Sequence, residues 1–177
     1  EIADSGIPIY IFSGNHDMWM FDYFPKELGI PIIHKEQRFS VGQHKLLIGH
    51  GDGLGPGDGM YKILKKIFRN RFCQWLFARI HPNLGIGVAN YWSKSSRISN
   101  VKKGEDDFKG DKEFLLQYCR SQETKEHHDY YVFGHRHLPL NIDINANSKY
   151  INLGEWVNYC TYGKYDGKNF ELLTFED

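Results

Sequence analysis

Cysteine is scarce in this 177-residue chain: Cys73, Cys119 and Cys160 stand far apart and form no CxxC pair. That excludes a disulfide framework and a zinc ribbon and points to a reducing cytoplasm. No uninterrupted apolar run reaches the roughly 18 to 20 residues that a bilayer-spanning helix needs. No basic-then-apolar leader opens the chain, so the expectation is a soluble or peripheral protein. Repeats and low-complexity tracts are absent as well. The most local absence is of acid: from Met60 to Lys103 there is no Asp or Glu among ten Lys or Arg residues. The formal net charge of zero, from 22 basic and 22 acidic residues, therefore hides a segregation. A basic block of this length attracts something negative: a phosphorylated substrate, an anionic membrane or nucleic acid.

With 41% hydrophobic and 15% aromatic residues, the chain suffices for one core and is short for two, which predicts a single domain. Ile7 to Phe12 reads as a buried strand running into the loop Gly14-Asn15-His16-Asp17. His44 to Ile48 ends in the same way at Gly49-His50-Gly51-Asp52, and Asp129 to Phe133 ends at Gly134-His135-Arg136-His137. Further strands are expected at Tyr150 to Leu153, Trp156 to Tyr162 and Phe170 to Phe175, with Asp166-Gly167 as a hairpin turn.

Between the second and third strands the pattern becomes helical. Met60, Ile63, Leu64, Ile67 and Phe68 form one stripe and Lys62, Lys65, Lys66 and Arg69 the other, an amphipathic basic helix. Phe72 to Ile80 precedes a break at Pro82, Val88 to Ser99 is a further helical candidate, and Asp111 to Ser121 reads as a helix leading into the third strand. Residues 54–110 are best read as a helical cap on the sheet domain.

Three strands thus each deliver a glycine-led polar loop at their C-terminal ends, together supplying one Asn and several His side chains. Glycine permits a sharp exit and a close backbone approach. His135 and His137, two apart in an extended segment, would project to one side and bind one metal or two neighbouring ones. An Asn amide oxygen is a competent hard ligand.

This ordered set, GNHD, GHGD and GHRH, resembles the last three blocks of the calcineurin-like metallophosphoesterases, and the resemblance spans almost the whole chain. It implies an α/β (α+β) fold, a four-layer αββα sandwich with the helical cap inserted and a dinuclear site at the strand ends. Asn15, His50 and His135 would hold one metal and His137 the other. His16 would contact the phosphoryl group and protonate the leaving oxygen, while Asp17 and Asp52 would orient His16 and His50. Two divalent ions roughly 4 Å apart activate water and neutralise charge in an in-line displacement at phosphorus. A shell of His, Asn and carboxylate suits Mn2+. The first two blocks of the family, an Asp-x-His and a Gly-Asp-x-x-Asp, have no match here. The chain is therefore expected to lack an N-terminal portion and, without two Asp and one His ligand, to fall short of a complete dinuclear site.

The cap, through His50 to Lys62, Leu76-Phe77 and Ser96 to Lys103, resembles that of UDP-2,3-diacylglucosamine pyrophosphohydrolases. That likeness implies water attack on the α-phosphorus of an acylated UDP-sugar in lipid A biosynthesis, giving 2,3-diacylglucosamine 1-phosphate and UMP. It implies head-group contacts from Arg97, Asn100 and Lys103. It also implies a cytoplasmic enzyme peripheral on the inner membrane of a Gram-negative bacterium. The enterobacterial version carries Arg where this chain has His16. Two other readings stand beside it: a phosphoesterase for soluble nucleotides or phosphoproteins, and a non-catalytic scaffold that binds a membrane. Nucleic acid is not an expected partner, since no recognised module for it occurs.

Overall fold

The computed structural model describes residues 2–57, 59–102 and 107–175, and for 95–102 the backbone alone. The expected mixed α/β class holds. In chain order the elements are β1 (Ile11–Phe12), α1 (Tyr23–Leu28), β2 (Ile32–Ile33), β3 (Gln37–Val41) and β4 (His44–Gly49), then the helices α2 (Gly59–Arg69), α3 (Arg71–Phe77), α4 (Pro82–Lys102) and α5 (Phe114–Glu123). The chain closes with β5 (Tyr130–Phe133), β6 (Pro139–Asn145), β7 (Ser148–Leu153), β8 (Thr161–Tyr165) and β9 (Phe170–Thr174).

A five-stranded sheet with the order β3-β4-β5-β7-β6 forms the centre. The strands β4, β5 and β7 run parallel, with antiparallel β3 and β6 at the edges. Parallel strands buried on both faces carry near-continuous apolar runs. Tyr131, Val132 and Phe133 in β5 and Leu46 and Leu47 in β4 are accordingly all buried. The side chains alternate between two faces. Leu47, Tyr131, Phe133 and Tyr150 meet Leu115, Leu116 and Cys119 of α5 in the main core. On the opposite face, Tyr130 packs against Tyr165 and Phe170 of the β8–β9 hairpin, and Phe39 against Tyr10 and Phe12. The large sheet is therefore covered by helix on one side and by smaller strand pairs on the other. Burial pushes the Cys119 thiol up, so it stays protonated and serves as a small apolar core residue.

Several elements depart from the sequence expectation. The first strand is confined to Ile11–Phe12, because its partner β2 has only Ile32 and Ile33 and is preceded by Pro31, which has no N–H to offer a ladder. The break before Pro82 is as read, between α3 and α4, but the helix expected from Val88 already begins at Pro82, where the missing N–H costs nothing, and runs on to Lys102. No strand starts at Trp156: the Glu155 carboxylate accepts from the backbone N–H groups of Val157, Asn158 and Tyr159 and folds the segment into a turn, so that β8 begins only at Thr161. The Asp166-Gly167 hairpin forms as read, with Asp166 accepting from the N–H of Lys168 and of Asn169.

The apolar stripe of α2 is divided. Phe68 turns inward, with its ring edge-on to Trp19 and Trp92, while Met60, Ile63 and Ile67 stay exposed. Lys65, part of the basic stripe, points inward to Asp52. The charge of a lysine is tolerated there because a buried carboxylate pairs with it.

At the far end of α5, Glu123 closes a network that anchors β5, accepting from Tyr131 Oη at 2.7 Å, from His128 N at 3.1 Å and from His127 Nδ1 at 2.7 Å. Burial alone would raise this carboxyl, but hydrogen bonds from His127 and Tyr131 outweigh it and hold Glu123 down at about 2. A depressed carboxylate stabilises the fold above its unfolded value of about 4.3, and that stability is lost as pH falls through the folded value. We predict that Glu123→Gln lowers unfolding stability at pH 7 by about 1 to 2 kcal/mol. Urea titrations should further show the gap between wild type and variant closing from pH 4 down to pH 2.

Candidate active site

The pairing of β4 with β5 sets Gly49 opposite Phe133, so the loops that follow leave the same sheet edge side by side. A backbone hydrogen bond from Gly134 N to His50 O, 3.0 Å, ties them together. The His50 and His135 rings then meet edge to face with centroids 5.3 Å apart. The loop after β1 closes over them. Buried Ser13 leads into Gly14, whose N–H donates to the Asp17 carboxylate and tightens the turn, and His50 Nε2 donates to Asn15 Oδ1 at 3.0 Å. A Cβ on Gly14 would stand 2.6 Å from His50 Cε1, so glycine is the residue that lets the two loops meet.

The structure thus brings Asn15, His50 and His135 together. His137 is exposed, yet close enough for its charge to lower the proton affinity of both other imidazoles. His16 is exposed at the rim beside Asn15. Asp17 and Asp52 reach His50 through charge, while their hydrogen bonds go elsewhere. Asp17 holds its own turn. Buried Asp52 accepts from Tyr61 Oη at 2.6 Å and pairs with Lys65 Nζ at 2.7 Å. Burial raises the Asp52 carboxyl, but the Lys65 and Tyr61 hydrogen bonds prevail and keep it below the ordinary carboxylate value. Arg97 and Asn100 fall on α4 where the backbone alone is described, and Lys103 lies outside the described residues.

Burial also lowers His50, helped by Lys65 and His137 against the carboxylates of Asp52 and Asp17. His135, buried beside His50, is pushed down to about 4. Both imidazoles are therefore neutral near pH 7, the form in which a ring nitrogen has a lone pair to give a metal. Two neutral imidazoles and an amide oxygen, packed around a glycine with no side chain to block them, fit part of the shell of a divalent cation. Among the described residues, no three His, Cys, Asp or Glu side chains gather closely enough to hold a metal by themselves.

Sequence reasoning missed His34. It follows β2, and its Nδ1 lies 2.7 Å from Ser13 Oγ, next to the His50 loop. The parallel partnership of β1 with β2 brings it there, and an isolated His after two isoleucines carries no motif that announces it. Trp19 was missed too. Its Nε1 donates to Phe68 O at 2.8 Å and its ring packs on Phe68 and Phe77, fastening α2 and α3 to the loop that carries Asn15. Arg69 adds a hydrogen bond to His34 O at 3.1 Å. Between these helices and the first loops opens a groove of about 770 Å³, with Met18, Met20, Phe21 and Trp75 as apolar lining and Asp22, His34, Arg69, Arg71 and Gln74 as polar.

Gly14 permits a direct test of this packing, because alanine there must displace the His50 ring. We predict that Gly14→Ala costs roughly 1 to 3 kcal/mol in unfolding stability and moves the His50 Cε1–H resonance in the NMR spectrum while distant core resonances stay in place.

No family model matches the chain. Among known proteins it is 30% identical over 189 residues to the UDP-2,3-diacylglucosamine hydrolase of Porphyromonas gingivalis, across all of this chain and 72% of that protein. The proteins of the same name from Proteus mirabilis and Pectobacterium carotovorum are each 27% identical to it, across 98% and 96% of this chain and 72% and 70% of their own lengths. With the similarity running through all three glycine-led loops and the helices between them, the chain belongs to the UDP-2,3-diacylglucosamine hydrolase family.

Proposed function

We propose that this protein hydrolyses the diphosphate bond of UDP-2,3-diacylglucosamine, giving 2,3-diacylglucosamine 1-phosphate and UMP for lipid A synthesis. The observation that carries this reading is the Asn15, His50 and His135 cluster together with His34, which lines both the small pocket at His50 and a neighbouring groove that holds arginines among apolar side chains. A diphosphate flanked by a nucleoside and two acyl chains asks for cations and hydrocarbon within one cleft, and Arg69 and Arg71 stand there among Met18, Phe21 and Trp75. A soluble nucleotide or phosphoprotein would need no such apolar lining.

In this reading Asn15, His50 and His135 help hold one divalent cation and His137 a second, with Mn2+ as the expected metal. Such ions, when bound, neutralise phosphoryl charge and activate water for in-line attack. The remaining work belongs to side chains of this chain. His16, exposed at the rim of the cluster, donates a proton to the bridging oxygen as it leaves the α-phosphorus, and the oxygen of water completes UMP. The arginines orient the diphosphate, which places the phosphorus before the cluster. Arg97, Asn100 and Lys103 complete the head-group contacts.

A substrate with two acyl chains resides in a bilayer, so the protein must work at its surface. No described helix is long and apolar enough to cross a membrane. The outer side of α2 instead offers Met60, 81% exposed, with Ile63, Ile67 and the exposed Lys66. Apolar side chains beside a lysine suit an anionic bilayer on the cytoplasmic face, and residues 54–110 then serve as a cap lying between membrane and site.

The test is Mn2+-dependent release of UMP from UDP-2,3-diacylglucosamine by the full-length protein. Turnover is expected with this substrate and not with UDP-N-acetylglucosamine, which lacks the two long chains; equal turnover of both would contradict the substrate assignment. His16→Ala should reduce the rate by roughly 10²- to 10⁴-fold while the bound Mn2+ remains unchanged. Persisting activity would remove His16 from proton transfer.

A further inference from the structure

Arg136 sits between the two histidines of the third loop, and its side chain leaves them for the interior. The loop has an uncommon backbone: His135 and His137 both adopt left-handed conformations, with φ of 66° and 56°. Non-glycine residues rarely do so unless their surroundings compel it. Part of that compulsion is on the main chain, where Arg136 N donates to Gly134 O at 2.8 Å and the Asn152 amide donates to the same carbonyl. The rest comes from the Arg136 side chain. It is 8% exposed and pairs with Glu113, which is 0% exposed, through an Nε to Oε1 distance of 2.8 Å. Its Nη2 also donates to Asp107 O at 3.0 Å, and its guanidinium lies 5.8 Å from the Phe114 ring, which in turn meets His135 edge-on at 6.0 Å.

Fixing two charges in the interior is costly unless the geometry returns it, and a lone hydrophobic pair would pack as well. What the ion pair adds is direction. A buried guanidinium drawn to a carboxylate at Nε by charge and hydrogen-bonded at Nη2 to a carbonyl has little freedom to turn, which restrains the backbone on either side of Arg136. We propose that Glu113 and Arg136 are positioning residues that hold His135 and His137 in the orientation needed to bind metal. Resting as it does on the reading of these histidines as metal-holding, the proposal extends the site to Glu113, which precedes α5, and to the carbonyl of Asp107.

The test uses the full-length protein and Mn2+ alone as the probe, followed by loss of the free Mn2+ electron paramagnetic resonance signal, with thermal melting as a control for folding. Glu113→Gln is expected to weaken Mn2+ binding by about 10- to 100-fold, the range for groups that orient metal-binding side chains, and activity should return as Mn2+ is raised. Because Glu113→Gln removes the buried carboxylate that faces the Arg136 guanidinium, a paired replacement, Glu113→Leu with Arg136→Met, removes both charges together and retains volume. It should fold and show the same loss of affinity. A folded double variant with unaltered Mn2+ affinity overturns the proposal, as does failure of both variants to fold, which would make the pair purely structural. Unchanged Mn2+ binding in His135→Ala would overturn the underlying site reading, and the proposal with it.

Discussion

The parallel alignment of β4 with β5 is the constraint on which the rest depends. Hydrogen bonding in that ladder sets Gly49 level with Phe133, and the two loops that follow emerge as neighbours although about eighty residues separate them along the chain. Parallel pairing requires a crossover, and the crossover here contains the helices α2 to α5. One topological choice thus places His50 beside His135 and interposes a helical segment whose start and finish both lie near them. Substituting an antiparallel pair would send the two loops to opposite edges of the sheet.

Helical segment and sheet are then joined by contacts that do not depend on a continuous apolar interface. Trp19 reaches from the Asn15 loop to Phe68 and Phe77, while Lys65 and Tyr61 converge on the Asp52 carboxylate. Each of these contacts has one end within a few residues of the histidine cluster. The helices are consequently held to the loops that carry the site, and a groove with arginines and apolar side chains forms where they meet Met18 to Asp22, the continuation of the Asn15 loop. Burial around the same loops keeps His50 and His135 neutral, so the packing that builds the groove also prepares the donors.

Much of this was readable beforehand. The strands ending at Gly49 and Phe133 and the helices starting near Met60 and Arg71 all emerged from periodicity and glycine placement. What resisted reading has identifiable causes. The edge strands β3 and β6 alternate polar and apolar side chains over a few residues, with Pro139 at the start of β6, and offer little to distinguish them from loop. Trp156 to Tyr159 carries strand-forming side chains, but a single carboxylate, that of Glu155, captures three backbone N–H groups and bends it. Local propensity lost there to a side-chain hydrogen-bonding pattern.

By itself the sequence determined the chemistry available to this protein: the glycine-led loops with their Asn and His, the basic helical block empty of acid, and the apolar strands to support them. These follow from residue type and short-range periodicity, which need no knowledge of distant neighbours. Only the tertiary structure decided which donors meet and which side chains serve them. His34 beside Ser13, Lys65 turned inward to Asp52, and Glu113 clasping Arg136 behind the paired histidines are all contacts across long stretches of chain. Partners of that kind are chosen by strand register and by the cost of leaving a buried charge alone, and neither can be evaluated until the chain has folded.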